Sequence, residues 1–243
     1  MTLPKVRSTV TSSSFSRRLF LGSTVAAAAA WPFGGSFHAS AQDVVTADPA
    51  TWRTWVLQSP DELRPAAPAE PTPAEIAEVI ELQAGLTEDD SATMRQWVLR
   101  PAVLPWTEAG TAALDEFLSP IRQYRGNGLL QAAMYDAVVA AYDAQEAYGR
   151  PTPSAVDPGI VPLEGLDVSR PAFPSAEAAV AGAAAVVLSA LLPDAAPGRF
   201  DDLAEDATIS LLRTGVAFRS DIDAGLALGR AIGERALALA ADD

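Results

Sequence analysis

Phe173-Pro174-Ser175-Ala176-Glu177-Ala178-Ala179-Val180-Ala181-Gly182-Ala183-Ala184-Ala185 is the stretch that decides the fold. Here a proline-rich loop passes into a helix made almost wholly of small residues and running to Leu192. Glu177, Ala181, Ala184, Leu188 and Leu191 recur at helical spacing, which predicts that the face carrying Glu177 turns into a bundle. An acid in the first turn is favoured there, because it meets exposed N–H groups and the positive end of the macrodipole.

The neighbouring segments read as helices too. Downstream, Phe200 to Val216 turns Leu203, Ala207, Ser210, Leu211, Thr214 and Ala217 inward. A last helix starts at Ser220, with Ser220 as its cap and Asp223 as acidic partner three residues on. It carries Gly225, Gly229 and Gly233 at intervals of four. Each glycine costs a helix about 1 kcal/mol relative to alanine, so a ridge of them predicts unusually close packing, within the chain or between copies.

Upstream, Asn127 to Tyr148 places Met134, Val138, Ala141, Gln145 and Tyr148 on one face, so Gln145 is expected to point inward. The proline-rich run from Gly149 to Pro174 reads as a long ordered loop bordering a pocket. Trp106 to Arg125 reads as one helix interrupted near Pro120, and another begins at Thr87 and ends before Pro101. Thr72-Pro73-Ala74-Glu75 is a helix start, with the helix running to about Ala84. No segment alternates like a strand. Residues 74–243 are therefore expected to form one all-α helical bundle, preceded by an extended Pro/Ala-rich arm, residues 42–73, that docks Trp52, Trp55, Val56 and Leu57.

Residues 1–41 stand apart. Ser16-Arg17-Arg18-Leu19-Phe20-Leu21, a weakly apolar run to Trp31 and Ala39-Ser40-Ala41 read as a twin-arginine export signal cleaved before Gln42. The apolar run is too short to span a bilayer, so the mature chain is expected to have no integral membrane segment and to lie in the periplasm, at the cell surface or outside the cell. The segment holds the chain's only lysine, Lys5, and its only histidine, His38. It takes four of the 17 basic residues and no acid, so cleavage moves the formal charge from −14 to −18. Such a surface repels nucleic acid and anionic lipid. With no cysteine in the chain, disulfides and thiolate chemistry are excluded.

The Pro174-Ser175-Ala176-Glu177 stretch resembles the Pro-Ser-Gly-His segment of the type 2 phosphatidic-acid phosphatase and vanadium haloperoxidase superfamily. Ala140 to Pro153 looks like that superfamily's upstream segment of Lys, six residues and Arg-Pro. Ser210 to Asp221 has the framing of its Ser-Arg, five residues, His, three residues, Asp segment. The resemblance covers residues 127 to 240 and implies a helical bundle of the haloperoxidase and acid phosphatase type. It also implies a lysine and two arginines around phosphate or vanadate, a histidine that attacks phosphorus or binds vanadium, and a second histidine for acid–base work oriented by an aspartate.

At the matching positions this chain has Gln145 for the lysine, Thr152 for the first arginine, Glu177 for the nucleophilic histidine, Leu211 for the second arginine and Ala217 for the second histidine. Ser210 and Asp221 are retained. A second register puts Arg150-Pro151 at the Arg-Pro pair, with Asp143 then at the lysine. Arg213 and Arg219 lie about 200° round the helix from the lost positions and are not expected to reach the pocket.

The three cationic positions fall to zero charge while Glu177 adds a negative one, so a bound anion would meet repulsion. The expectation is a domain that keeps the frame, has lost catalysis, needs no cofactor and serves a binding or structural role. Its partner is expected to be a second copy or an active relative. Two alternatives stand beside this: a phosphatase or vanadate-dependent haloperoxidase with relocated residues, using Arg150, and an acidic cation-binding module with Glu177 and Asp221 as metal ligands.

Overall fold

A computed structural model describes residues 48–241, so the expected export segment and its cleavage site lie outside the described residues. The helices are α1 (Pro73–Ala84), α2 (Glu88–Val98), α3 (Val103–Phe117), α4 (Pro120–Tyr148), α5 (Ala176–Leu191), α6 (Arg199–Thr214) and α7 (Arg219–Ala241), with a single helical turn at Pro153–Val156. No strand occurs among the described residues, and the all-α expectation holds.

Chain chemistry sets the helix ends. Thr72 and Thr87 each accept an N–H three residues on, while Glu75 and Asp90 reach back to the cap's own N–H, so α1 and α2 open with reciprocal capping boxes. Gly149 closes α4 in the left-handed region, φ 61°, and its N–H donates to the Gln145 carbonyl at 2.9 Å.

Two helix ends differ from the sequence expectation. The break expected near Pro120 is there, with α3 stopping at Phe117, but the segment beyond it does not end at Arg125: Pro120 supplies the preset φ that starts α4, which runs on through Asn127 to Tyr148. The merged α4 has 29 residues, about 43 Å of helix. At the start of α7 the capping acceptor is Asp221 rather than Ser220, since its Oδ2 takes the Phe218 N–H at 2.7 Å. The Ser220 N–H donates instead to Glu75 Oε1 of α1 at 3.2 Å.

The centre of the bundle is α5. From Ala176 to Ala185 every residue except Glu177 is buried. The glycine ridge packs here, inside the chain, so it is not a surface for pairing copies. A side-chain carbon at Gly225 would run into the Ser175 carbonyl, one at Gly229 into the Ala179 carbonyl, and one at Gly233 would lie 3.0 Å from the Ala183 carbonyl. Both sets of numbers advance together by four, so α5 and α7 run in parallel with backbones in contact. Gly182 returns the fit from α5, facing the Leu226 carbonyl. Around this pair Trp106, Leu114, Leu130, Met134 and Leu188 are fully enclosed, each worth about 1.5–3 kcal/mol of burial.

The arm wraps α4. Buried Asp136 accepts the N–H groups of Trp55, Val56 and Leu57 at 2.9, 2.6 and 2.9 Å and so draws Val56 and Leu57 into the core. Trp52 stacks on Tyr135 with ring centres 5.8 Å apart. Trp55 does not dock. It is 69% exposed, because the three consecutive N–H groups given to one carboxylate turn its side chain outward.

Candidate functional site

At the N-terminus of α5, Ser175 Oγ accepts the Ala178 N–H at 3.2 Å and donates to Glu177 Oε2 at 3.2 Å. One face of α4 brings Tyr142 and Gln145 to the same place, since residues three apart are neighbours on a helix. Gln145 is buried, and its Nε2 donates to the Pro174 carbonyl at 2.9 Å. The loop between α4 and α5 adds Thr152, Asp167 and Arg170, and the turn before α7 adds Ala217.

These side chains enclose a cavity of about 260 Å³. Four of the five degenerate positions meet on its wall: Gln145, Thr152, Glu177 and Ala217. Leu211 does not. It is 2% exposed among Ala178, Phe218 and Ile222, and meets Glu177 only across a void of about 10 Å³. In the second register Asp143 pairs with Arg64 at 2.6 Å, and neither it nor Arg150 borders this cavity.

Asp221 and Arg150 form a separate buried unit. Arg150 Nη1 donates to Asp221 Oδ1 at 2.7 Å and to Ser220 Oγ at 2.8 Å, and Glu75 lies 3.9 Å away. The guanidinium sits against the rings of Phe173 and Phe218, at 5.8 and 5.4 Å. Burial pushes the Asp221 carboxyl up to about 6, against the opposing pull of the Phe218 N–H and of Arg150. Arg150 is therefore committed to structure and borders a hollow beneath residues 66–70 instead. Arg213 pairs with Asp90 and Arg219 with Glu78, each at 2.6 Å, away from the cavity.

Two cations that sequence reasoning missed do reach the wall, Arg100 and Arg170. Arg100 is gripped by both carboxylate oxygens of Glu108. Arg170 lies over the Tyr142 ring at 4.1 Å. Asp167 is on the same wall, held below the usual carboxylate range by the Ser169 hydroxyl and N–H. Only their lying in or beside segments read as loop-forming could have flagged these arginines.

Glu177 differs from its neighbours. Among the described residues its carboxylate has the Ser175 hydroxyl and no cationic partner within ion-pair distance. The Tyr142 hydroxyl is pushed above its ordinary pKa by burial and then by the Glu177 charge. Beyond Glu177, Tyr142 and Arg100 lies an adjoining cavity of about 420 Å³ lined by Trp52, Tyr135 and Val138.

Glu177 and Asp221 are not joined in one metal site, since Asp221 is absent from the cavity wall, and no group of three or more metal-ligating side chains occurs among the described residues. Vanadate does not fit these residues either. A carboxylate stands at the implied imidazole position, no lysine or histidine occurs in residues 48–241, and of the two wall arginines Arg100 is paired with Glu108.

No protein-family model and no curated protein sequence matches the chain. Its shape does match solved structures. A bacterial vanadium-dependent iodoperoxidase superposes with a TM-score of 0.61 at 21% identity, over 76% of this chain and 55% of that one. The holo form of a bacterial vanadium-dependent chloroperoxidase gives 0.60 at 12% identity, over 80% and 54%. A transmembrane PAP2-type phosphatidylglycerolphosphate phosphatase from Bacillus subtilis gives 0.53 at 17% identity, over 70% and 85%. The chain thus has the fold shared by these haloperoxidases and phosphatases, and it spans about half the length of the two haloperoxidases. Among its described residues no helix is long and apolar enough to cross a membrane.

Proposed function

We propose that this domain keeps the haloperoxidase and phosphatase frame without its chemistry and works as an exported module that binds a small molecule. The observation that carries the reading is the cavity at Glu177. Positions where the resemblance implies a lysine, an arginine and two histidines meet there as Gln145, Thr152, Glu177 and Ala217. An oxyanion placed against Glu177 would meet a carboxylate in a partly dry site, where like charges repel strongly. A histidine nucleophile has no counterpart on the wall. The cavity has nevertheless stayed open, although the Leu211 position behind it has become core.

The test is an assay of the exported protein with vanadate, peroxide and iodide or bromide, and separately with p-nitrophenyl phosphate. No turnover above buffer is expected in either. Turnover that scales with protein and is lost in Arg170→Ala would establish the relocated-residue enzyme instead. Export itself is tested by mass spectrometry of the secreted chain, which should begin at or near Gln42.

A further inference from the structure

The two cavities that meet at Glu177 have opposite character. The smaller exposes mainly polar surface, and the larger mainly apolar surface, from Trp52, Tyr135, Val138 and the Tyr142 ring. Glu177, Tyr142 and Arg100 border both. The larger space, about 420 Å³, is well above the roughly 150 Å³ that suffices to take up a benzene ring elsewhere.

Charge and hydrogen bonding on the shared wall favour one ligand type. Arg100 is neutralised by Glu108, and Arg170 faces Tyr142 with Asp167 on the same wall. Glu177 is left with a lone hydroxyl donor. Gln145, 5% exposed and bordering the same cavity, spends its amide N–H on Pro174, while its Oε1 accepts no hydrogen bond. A buried acceptor without a donor is costly, and so is a carboxylate without a counter-charge. Two acceptors on this wall, the Glu177 carboxylate and the Gln145 amide oxygen, thus lack a cationic or N–H partner, beside a space suited to an apolar body.

We propose that this double cavity binds an organic ammonium, a primary amine with an aromatic or branched apolar body. The ammonium group sits at Glu177 with N–H groups to spare for neighbouring acceptors, and the body lies against Trp52, Tyr135 and Val138. An inorganic cation would leave the larger chamber without purpose, and an organic anion would oppose Glu177. The inference rests on the binding role proposed above and names the ligand class of that site.

Calorimetric titration of the exported protein with phenethylamine tests it, with phenylpropionate as the anionic counterpart of like shape. Phenethylamine should bind saturably and phenylpropionate at least about tenfold more weakly, the size expected for one charge-assisted hydrogen bond. Glu177→Gln should weaken phenethylamine by about tenfold or more without helping methylammonium or sodium to bind. Val138→Phe, which fills the larger chamber, should weaken phenethylamine while leaving circular dichroism unchanged, and it serves if the Glu177 variant fails to fold. Equal binding of the two isosteres, or sodium and calcium binding where phenethylamine does not, overturns the proposal. Silence from every probe overturns this inference and leaves the loss of oxyanion chemistry standing. Vanadate binding that Arg170→Ala abolishes overturns both.

Discussion

Asp136 and Glu177 are two carboxylates on core helices of the same bundle, and their surroundings are opposite. Asp136 is fully buried and saturated by three consecutive backbone N–H groups from the arm. Glu177 lies at the junction of two cavities with one hydroxyl donor. A buried charge that is fully hydrogen-bonded holds structure together, whereas a half-buried charge with few partners is free to meet something else. The contrast separates scaffold from site in this fold.

The largest effect should come from the saturated acid. Asp136→Asn keeps the shape but loses the charge and one acceptor oxygen, leaving arm N–H groups competing for a single carbonyl. A loss of about 3–5 kcal/mol is expected, read as a lower urea midpoint. A loss below about 1 kcal/mol would mean that water replaces the carboxylate readily and that the arm is not anchored there.

Next is Leu211→Arg, which restores the guanidinium implied by the resemblance. Leu211 is enclosed by Ala178, Phe218 and Ile222, and the nearest opening, about 10 Å³, is smaller than the new side chain. About 3 kcal/mol of destabilisation is expected from overpacking and desolvation, with Glu177 offering partial compensation. An unchanged thermal midpoint would show that the space behind Glu177 opens easily, and the distinction between core and cavity at this site would blur.

The contrast between the two acids was only half legible in the sequence. Periodicity placed α5, α6 and α7, because small residues and glycines at intervals of four leave helix-on-helix packing as the one reasonable outcome. Cap chemistry placed the starts of α1 and α2 to the residue. Glu177 was visible because it interrupts an otherwise alanine-rich face. Asp136 was not, since α4 is buried on several faces and a single amphipathic stripe cannot describe such a helix. Arg100 and Arg170 escaped for another reason: their approach to the cavity depends on how loops fold back, which no local pattern encodes. Trp55 misled because a large apolar residue in an arm reads as an anchor, whereas here the backbone N–H beside it is what binds.

A third acid, Asp221, lies between the two extremes, buried like Asp136 but facing a cation. Its carboxyl is raised by burial from an ordinary 3.8 to about 6, so the folded chain holds that proton more tightly than the unfolded one. Its contribution to stability is complete below about pH 3.8 and is lost as the pH rises through about 6. Wild type should therefore gain on Asp221→Asn as the pH falls from about 7 to about 4, by on the order of 2 kcal/mol. Urea midpoints of both proteins across that range read the difference. A gap that stays flat would show that Arg150 keeps the carboxylate charged throughout.

The smallest expected effect falls on the partnerless acid, and it decides what the contrast means. Glu177→Gln removes a charge that the helix N-terminus favours by a few tenths of a kcal/mol and that partial burial disfavours by a similar amount. The Ser175 hydroxyl keeps an acceptor in the new amide oxygen. The thermal midpoint should therefore move by no more than the equivalent of about 0.5 kcal/mol. Tyr142 should respond more clearly. Its hydroxyl is held up first by burial and then by the Glu177 charge, so the variant should lower its pKa partway, visible as earlier ionisation in an ultraviolet titration. If the variant is as unstable as Asp136→Asn, Glu177 is scaffold after all, and the open cavity beside it is a by-product of packing rather than a place for a ligand.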